Sequence, residues 1–582
     1  MKKIITIIIQ ICIVFSTGIL GGDWYVRPVG GNYGSENGTS YANAWDGLLN
    51  VRWGAGGVQP GDTLYICGLH YYNRTNRYQG SGDITISVSG TSQNRITIRG
   101  DYPGEPGIIW GAHRMSYDGG WTYEGDNTYS ITMGYGTVDW HYQDVTVSSW
   151  VVLDVAEGIA ECKANAGSCY WDSVSHKLYV HCTDGGDPTD RIFSSMNGHR
   201  FLISGTEYIT LLNLKFYDTY RIVYGEPGGY SNIRFENCVF WYAASYGDPL
   251  NYHSSNYHHI EVVGCDIAWG VGGVNFDGGA GIFTISRNLI HDIGVRESTW
   301  NSDAHGISAQ KPFDSVIENN EVYNCGTGIT FYNGELGTCT NNIIRWNYIH
   351  DTHTLGGANS RGIEHNATIN DVDTSGNEAY GNIVVNCEDV GYRFRYKDLG
   401  KFYNNIAYNC GTSFYLHRQG GTTYGLKVEL KNNISMNPTL YHIYFQDSDH
   451  QPGTGDINCR LDSDHNIFYP ISGNQFVFNH AGSATTTNFV GWQALQGESR
   501  PGSTFDPHSL TSDPLFVNGS GNYSLDTDFK IPSNSPAKDA GIGVGLAEDY
   551  FGNFVPRGSG YDIGIHEYNP TSKIELRYHQ IK

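Results

Sequence analysis

A short apolar strand pattern recurs nine times between residues 220 and 446, and it constrains the fold more than any other feature of the chain. The first apolar position of the nine segments is held in turn by Ile222, Leu250, Val274, Ile307, Ile329, Ile363, Tyr392, Phe414 and Ile443. The position two residues later is held by Tyr224, Tyr252, Phe276, Ala309, Phe331, His365, Phe394, Leu416 and Phe445. Because successive side chains of a strand point to opposite faces, both columns lie on one face. The pattern therefore predicts stacked strands with an apolar core on one side and a polar candidate binding surface on the other.

The composition favours an ordered, turn-rich, all-β protein. The 582 residues include 75 Gly, 42 Tyr and 13 Trp, and only 16% of them are charged. Low charge with many aromatic residues argues against disorder, and short β-branched runs between Gly- and Asn-containing turns favour strands. An Asn or a substitute for it recurs in each repeat, at Asn213, Asn237, Cys265, Asn288, Asn320, Asn347, Asn382, Asn405, Asn433 and Asn466. A column of buried Asn side chains is therefore expected to tie successive turns together by hydrogen bonds.

The first 22 residues have the features of a secretory signal peptide. Lys2 and Lys3 precede an apolar run from Ile4 to Phe15, and small residues follow up to Gly22. We therefore expect a secreted protein, extracellular or periplasmic, with no membrane span once the signal peptide is removed, since no other segment is long and apolar enough. The formal net charge of −23 argues against nucleic acid as a partner, because nonspecific binding depends on clustered cations.

The repeat is interrupted at both ends and once within the chain. A stack of coils exposes its ends, so caps are expected there, and a Trp- and Tyr-rich stretch breaks the rhythm after the first coils. The expected organisation is a signal peptide (1–22), an N-terminal cap with the first coils (23–115), an inserted β-rich subdomain (116–195), stacked parallel coils with a binding groove (196–480), C-terminal coils and a cap (481–569), and a tail (570–582).

The outward columns concentrate charged and aromatic side chains on the coils from Asp277 to His417. Neighbouring strands lie ~4.8 Å apart, so roughly six coils form a groove about 25–30 Å long. A groove of that length suits an extended polysaccharide better than a small metabolite. The side chains predicted to bind this polymer are His253, Gln310, Glu364, Asn366, Arg395, Lys397 and His417.

Three cations lie within five residues, at Arg393, Arg395 and Lys397, in a chain that is otherwise acidic. Guanidinium groups match carboxylate and sulfate geometry with paired hydrogen bonds. The cluster therefore predicts recognition of an acidic sugar. The alternative is that Arg393 pairs with Glu364, which is adjacent to it on the preceding coil.

The outward columns of the stacked strands form a grid of side chains. Proton transfer is assigned to His305, which follows Asp303 at the edge of this grid, or to Tyr332. Arg361 occupies the position of His305 two coils later. An Arg that neutralises a substrate carboxylate makes the adjacent sugar C–H acidic, and a nearby base can then remove that proton. These roles, with Arg393 beside Arg361, predict β-elimination. His365 lies in the apolar column and is interpreted as a core residue.

The residues are also compatible with two other functions. A glycoside hydrolase needs two carboxyl groups about 5–9.5 Å apart. Asp277 and Asp303 lie on adjacent coils and could form such a pair. Glu364 is three coils from Asp277, roughly 15 Å away, which is too far. The other alternative is a non-catalytic carbohydrate-binding or adhesin-like surface protein. In either case Tyr332, Tyr415 and Tyr444 could stack on sugar faces.

With this repeat, the chain resembles the right-handed parallel β-helix superfamily of pectate lyase-like proteins over about residues 23–569. The segments 535–541 (Ser-Pro-Ala-Lys-Asp-Ala-Gly) and 562–568 (Asp-Ile-Gly-Ile-His-Glu-Tyr) are similar to the C-terminal segment of many exported members. The resemblance implies an all-β, right-handed parallel β-helix with an N-terminal cap and a small inserted β-domain. It also implies a polysaccharide-active enzyme of the alginate- or chondroitin-lyase type.

Two further observations bear on metal and motif assignments. Abundant Asp, Glu and Asn oxygens are compatible with a bound Ca²⁺, although no EF-hand-like spacing is present and no certain cofactor emerges. The run Asp506-Pro507-His508 matches the Asp-Pro-His of mannuronan epimerases but lies outside the regular repeat. We therefore predict no role for this run in the groove.

Overall fold

The computed structural model describes residues 21–569 apart from 73–83, 114–119, 133–140, 144–149, 190–191, 194–200, 204, 218–231, 243–247, 254–257, 278, 295–303, 334–338, 356–358, 368–373, 396–398, 418–426, 447–459, 481–482, 496–503 and 519–522. The predicted tail and nearly all of the predicted signal peptide lie outside these residues, as does the first of the nine repeats. None of the helices in the described part of the chain combines the length and hydrophobicity that a membrane crossing requires.

The chain winds into coils of three short strands, and each strand pairs in parallel with its counterpart in the next coil. The polar grid lies on a ten-stranded sheet, here called the groove sheet, whose last strand alone is antiparallel. Its strands are Leu250–His253, Val274–Asp277, His305–Gln310, Thr327–Asn333, Arg361–Ala367, Val390–Arg395, Thr412–His417, Tyr441–Gln446, Phe476–His480 and Ser483–Thr487.

Two further parallel sheets complete the coils. The second sheet is Trp45–Asp46, Asp23–Arg27, Thr63–Ile66, Ile96–Arg99, Ile209–Leu212, Ile233–Glu236, His258–Val263, Gly281–Ser286, Val316–Glu318, Ile343–Arg345, Asn377–Tyr380, Leu399–Tyr403, Lys427–Lys431, Arg460–Asp464 and Thr504–Phe505. The third sheet is Leu69–Tyr72, Ile108–His113, Lys215–Tyr217, Val239–Trp241, Asp266–Ala268, Leu289–His291, Glu321–Cys325, Tyr348–Thr352, Ile383–Cys387, Ile406–Tyr408, Ile434–Met436 and Ile467–Tyr469.

The register of the groove sheet confirms the two apolar columns. Leu250, Val274, Ile307, Ile329, Ile363, Tyr392, Phe414 and Ile443 pair in one continuous row, and all of them are buried. His365 lies in the second column, buried beside Phe331 and Phe394 with ring centroids 5.2 and 5.9 Å away. Burial lowers the pKa of His365 to about 3, so it is a neutral core residue, as expected.

A ladder of buried Asn side chains runs from coil to coil, as the turn pattern predicted. In each step, the Oδ1 atom accepts hydrogen bonds from the backbone N–H and the Nδ2 atom of the Asn on the preceding coil. Asn382, for example, accepts two such bonds from Asn347 at 3.1 and 3.0 Å and donates to Asn405 at 3.0 Å. The ladder comprises Asn288, Asn320, Asn347, Asn382, Asn405, Asn433 and Asn466.

The assignment of Asn213 and Asn237 to this ladder is wrong by one residue. Both adopt a left-handed backbone conformation, with φ of 55° and 51°. The register of the third sheet instead gives the ladder position to Leu214 and Cys238. An Asn tolerates the left-handed region that the turn requires, so Asn at the turn and Asn in the ladder look alike in the sequence.

Antiparallel pairing is concentrated between the first coils and the regular stack. A five-stranded sheet is formed by Thr122–Gly125, Thr128–Thr132, Asp154–Val155, Ser168–Asp172 and Lys177–His181, with a small apolar cluster of its own. A smaller antiparallel sheet comprises His141–Gln143, Trp150–Val152 and Ile192–Phe193, whereas Ile84–Ile86 and Phe201–Ile203 form a separate parallel pair. The short helices are Ile159–Ala164, Phe489–Ala494, Tyr41–Asn43, Leu48–Asn50 and Asp526–Phe529.

The C-terminal segment packs on the outside of the last coils. Phe516, Phe529 and Tyr550 share a buried cluster with Ile406 and Ile434 of the third sheet. This cluster covers an apolar strand surface that would otherwise face water.

Candidate functional site

The groove sheet brings the predicted polar residues into the expected grid. Glu364 pairs with Thr330 on one side and Arg393 on the other. Asn366 likewise lies between Tyr332 and Arg395. The neighbour relations within the grid are therefore those that strand alternation predicted.

Glu364 is a buried carboxylate held between two arginines. Its Oε2 atom accepts a hydrogen bond from Nη1 of Arg361, and its Oε1 atom accepts one from Nη1 of Arg393, both at 2.6 Å. Glu364 is only 1% exposed, and an ionised group at such a position requires charged partners. The alternative considered for Arg393, pairing with Glu364, is thus present, and the carboxylate fixes both guanidinium groups at the groove floor.

Arg393 also orients His417. Its Nη2 atom lies 3.2 Å from Nε2 of the imidazole. A guanidinium group can only donate, so Nε2 accepts and the neutral ring carries its proton on Nδ1. The imidazole stacks on Tyr415 with centroids 4.9 Å apart and an interplanar angle of 11°. The position of His417 is therefore set by Arg393 and Tyr415 together.

Arg395 lies beside this pair without a carboxylate of its own. Its Nη1 atom donates to Oδ1 of Asn366 at 3.3 Å, and it makes no ion pair with any carboxylate in the described ranges. Burial lowers the pKa of Arg395, while Glu364 opposes that shift. Arg395 therefore adds to the site a guanidinium group that forms no ion pair with a carboxylate of the described ranges.

An open cleft of about 330 Å³ lies against Arg361, Arg393 and Tyr415. Its wall includes the rings of Tyr415, Tyr441 and Tyr444, and the rings of Tyr415 and Tyr444 meet edge to face with centroids 4.8 Å apart. Burial raises the pKa of Tyr415, and its hydroxyl donates to Gln446 at 3.1 Å. The full lining is Asn359, Arg361, Asp389, Val390, Arg393, Thr412, Tyr415, Tyr441 and Tyr444.

Asp389 is a cleft residue that the sequence grid missed. It precedes the strand Val390–Arg395 and therefore falls outside the columns drawn from strand residues. Burial raises the pKa of Asp389, although Arg361 and Arg393 act in the opposite direction. A carboxyl group with a raised pKa in a cleft is a candidate for proton transfer. A grid that included the residue before each strand would have found it.

The predicted proton-transfer residues lie outside the cleft lining. His305 shares a row with Thr327 and Arg361, so it is two strands, ~10 Å, from Arg361. Tyr332 is likewise two strands from Arg395, with Gln310 on the next strand out. His305 and Tyr332 therefore lie on the groove sheet, on strands nearer to its N-terminal end than the cleft.

Four predicted residues cannot be placed at the side-chain level. Asp303 and Lys397 lie outside the described residues, and His253 and Asp277 are described only as paired strand positions. The hydrolase pair Asp277 and Asp303 therefore stays a prediction.

The groove's described residues contain no group of three potential metal ligands. The described chain holds one such group, Asp464 with His465 and His508, in the region of the second sheet. Asp506 of the Asp-Pro-His run is fully buried and hydrogen-bonded to Asn466 at 2.9 Å. This run therefore follows the last strand of the second sheet, not a strand of the groove sheet.

Comparison with known proteins bears on the fold. Residues 272–452 match the family model described as "Right handed beta helix region". No curated protein matches the sequence. With the parallel register of the three sheets, this match shows that the fold is a right-handed parallel β-helix.

Solved structures of low sequence identity resemble this chain. The complex of XylC with xylose is 12% identical, with 85% of this chain and 87% of that chain covered and a TM-score of 0.48. Pectate lyase Pel9A is 13% identical, with 95% and 98% covered and a TM-score of 0.43. Alginate lyase from Paenibacillus sp. str. FPU-7 is 17% identical, with 47% and 92% covered and a TM-score of 0.32.

Proposed function

We propose that the protein is a secreted carbohydrate-active enzyme, a lyase that cleaves a uronate-containing polysaccharide by β-elimination. The observation that carries this proposal is the cationic cleft. Among the described residues in and beside the cleft, the three guanidinium groups of Arg361, Arg393 and Arg395 outnumber the two carboxyl groups of Glu364 and Asp389, although the whole chain has a formal net charge of −23. Arginine forks suit planar carboxylates, so an acidic sugar fits this charge pattern.

Binding of the sugar carboxylate is the first role in the proposed reaction. Glu364 engages one Nη atom of Arg361 and one of Arg393, so each guanidinium keeps further N–H donors for a substrate. Neutralisation of the uronate carboxylate stabilises the negative charge that develops when the adjacent C–H loses its proton. The tyrosine rings offer flat surfaces on which sugar rings can stack.

Proton transfer is the second role. A base removes the proton next to the carboxylate, a carbon–carbon double bond forms, and the glycosidic C–O bond breaks as its oxygen takes a proton from an acid. We assign the base to Asp389, whose pKa is raised by burial, and the acid to the hydroxyl of Tyr441 or Tyr444. His305 and Tyr332 are the corresponding candidates for a substrate bound farther along the groove.

The test is to incubate the mature protein with a panel of acidic and neutral polysaccharides. New ultraviolet absorbance from an unsaturated uronate, together with new reducing ends, is expected from an acidic polymer. Reducing ends without that absorbance would instead indicate hydrolysis, and binding without either product would indicate a carbohydrate-binding surface protein.

Variants then test the site assignment. Arg393→Ala and Asp389→Asn are each expected to slow the rise in absorbance about 100-fold or more. Lys401→Ala is the matched control, because Lys401 pairs with Glu378 on the second sheet at 2.6 Å, away from the cleft. Full activity of both cleft variants would refute the assignment.

A further inference from the structure

Three potential metal ligands meet at the end of the strand Arg460–Asp464. Asp464, His465 and His508 each offer one ligand atom, and these atoms all lie within 4.8 Å of one another. His508 is 44 residues from Asp464 in the chain and comes from the turn that follows Phe505. The group is therefore assembled by packing of the C-terminal segment on the last coils.

The geometry directs both imidazoles to one carboxylate oxygen. Oδ2 of Asp464 lies 2.7 Å from Nδ1 of His508 and 3.3 Å from Nδ1 of His465. The two imidazole centroids are 5.2 Å apart. Oδ1 of Asp464 accepts hydrogen bonds from the backbone N–H groups of His465 and His508 at 2.9 and 2.7 Å. The carboxylate is thus oriented by the backbone, with its other oxygen directed at the two rings.

A buried anchor holds the turn that carries His508. The carboxylate of Asp506 accepts hydrogen bonds from Asn466 Nδ2 and Trp492 Nε1, both at 2.9 Å, and from the hydroxyl groups of Ser463 and Ser509 at 2.7 and 2.6 Å. Asp506 is fully buried. The backbone beside His508 is therefore fixed, while its side chain, 68% exposed, can still adjust.

We propose that Asp464, His465 and His508 bind a divalent transition-metal ion of the Zn²⁺ type, through Oδ2 and the two Nδ1 atoms. Ligands at about 2.0–2.2 Å in a tetrahedron lie roughly 3.4 Å apart. The distance of 3.3 Å between Oδ2 of Asp464 and Nδ1 of His465 already fits. A small outward movement of the exposed His508 ring lengthens the 2.7 Å distance between Oδ2 and Nδ1 of His508 to the same value. Mixed nitrogen and oxygen ligands favour zinc-like ions over Ca²⁺ and Mg²⁺, which prefer oxygen.

The neighbouring cation Lys431 does not oppose this site strongly. Lys431 pairs with Asp464 across the strands, but its Nζ atom lies 2.7 Å from Oδ1 of Asp462, so its charge is largely balanced. A bound ion would join the turn after Phe505 to the last coils. The site is a structural clasp for the C-terminal end of the β-helix and is independent of the groove.

The test uses tag-free, chelator-treated protein titrated with ZnCl₂ by calorimetry, with the thermal midpoint measured in parallel. The wild type is expected to bind one Zn²⁺ per chain and to show a higher Tm with the ion. His508→Ala and His465→Asn are each expected to weaken binding about tenfold or more and to lose the Tm rise. Asn is chosen at 465 because the residue has a left-handed φ of 55°, which Asn tolerates.

His176→Asn is the matched control, because His176 is exposed, has a similar left-handed φ of 54° and belongs to the separate antiparallel region. It is expected to bind Zn²⁺ as the wild type does. Circular dichroism confirms that each variant is folded, and Co²⁺ in place of Zn²⁺ reports on the ligands through its visible absorption. No stoichiometric binding by the wild type, or wild-type binding by either site variant, would overturn the proposal.

Discussion

Replacing Glu364 by Gln is expected to destabilise the protein strongly, because the substitution removes a buried charge and leaves its partners in place. The carboxylate accepts hydrogen bonds from Arg361 and Arg393 at 2.6 Å, and its side chain is 2% exposed. Gln has nearly the same shape, but its NH₂ group would face a guanidinium donor. Removing one partner of a buried ion pair costs about 3–5 kcal/mol in the free energy of unfolding.

The matched control is Glu378→Gln. Glu378 pairs with Lys401 at the same distance, 2.6 Å, but the two side chains are 27% and 30% exposed. Ion pairs of this kind contribute about 0–1 kcal/mol, and salt weakens them further. The substitution and the distance match, so the difference between the two variants reports the burial of Glu364 together with its second cationic partner.

The assay is urea unfolding followed by circular dichroism, with midpoints compared at equal slope. The double variant Glu364→Gln/Arg361→Gln is expected to recover part of the loss, because it removes one uncompensated guanidinium. If Glu364→Gln lowered the unfolding free energy no more than Glu378→Gln does, Glu364 would not be the buried charge that organises the cleft.

Three further outcomes are expected. Asn382→Ala should lower the unfolding free energy by about 1–3 kcal/mol for each buried group left unpaired, measured by urea titration, and a loss as small as that of a surface Asn would contradict the ladder. Burial disfavours the charged imidazole, but hydrogen bonds to Asp266 and Asp292 raise the pKa of His291 to about 9. The charged imidazole therefore stabilises the fold by at most about 3 kcal/mol. This contribution is complete below pH ~6.5 and is lost as the pH rises through about 9. His291→Asn should remove that part of the pH dependence of Tm. Asp389→Asn should lower kcat about 100-fold or more and abolish the acidic limb of its pH profile, whereas an unchanged limb would exclude Asp389 as the base.

The sequence anticipated the grid well because its period is set by the backbone. Alternation of side chains and the constant strand spacing place Glu364 beside Arg393 whatever loops intervene. His365 was assigned to the core for the same reason. Asn213 shows the limit of such patterns, since turn and ladder positions accept the same residue type and only the register separates them.

The cleft itself was less accessible to sequence reasoning. The outward columns assigned proton transfer to His305 and Tyr332, yet the open cleft lies on later coils, where Tyr441, which the columns missed, joins Tyr444 in the wall. The shape of a cleft depends on the volumes of facing side chains and on the turns between strands, and neither of these repeats along the sequence.

The sequence by itself determined the stacked parallel coils, the two buried columns and the polar face that carries Arg393, because these follow from local alternation repeated at a fixed pitch. Only the tertiary structure decided that Glu364 is enclosed by two arginines, that Asp389 enters the cleft from a turn, and that Asp464 meets His508 across 44 residues of chain. Such contacts depend on how turns and terminal segments pack on the coils, and that packing is a property of the whole fold.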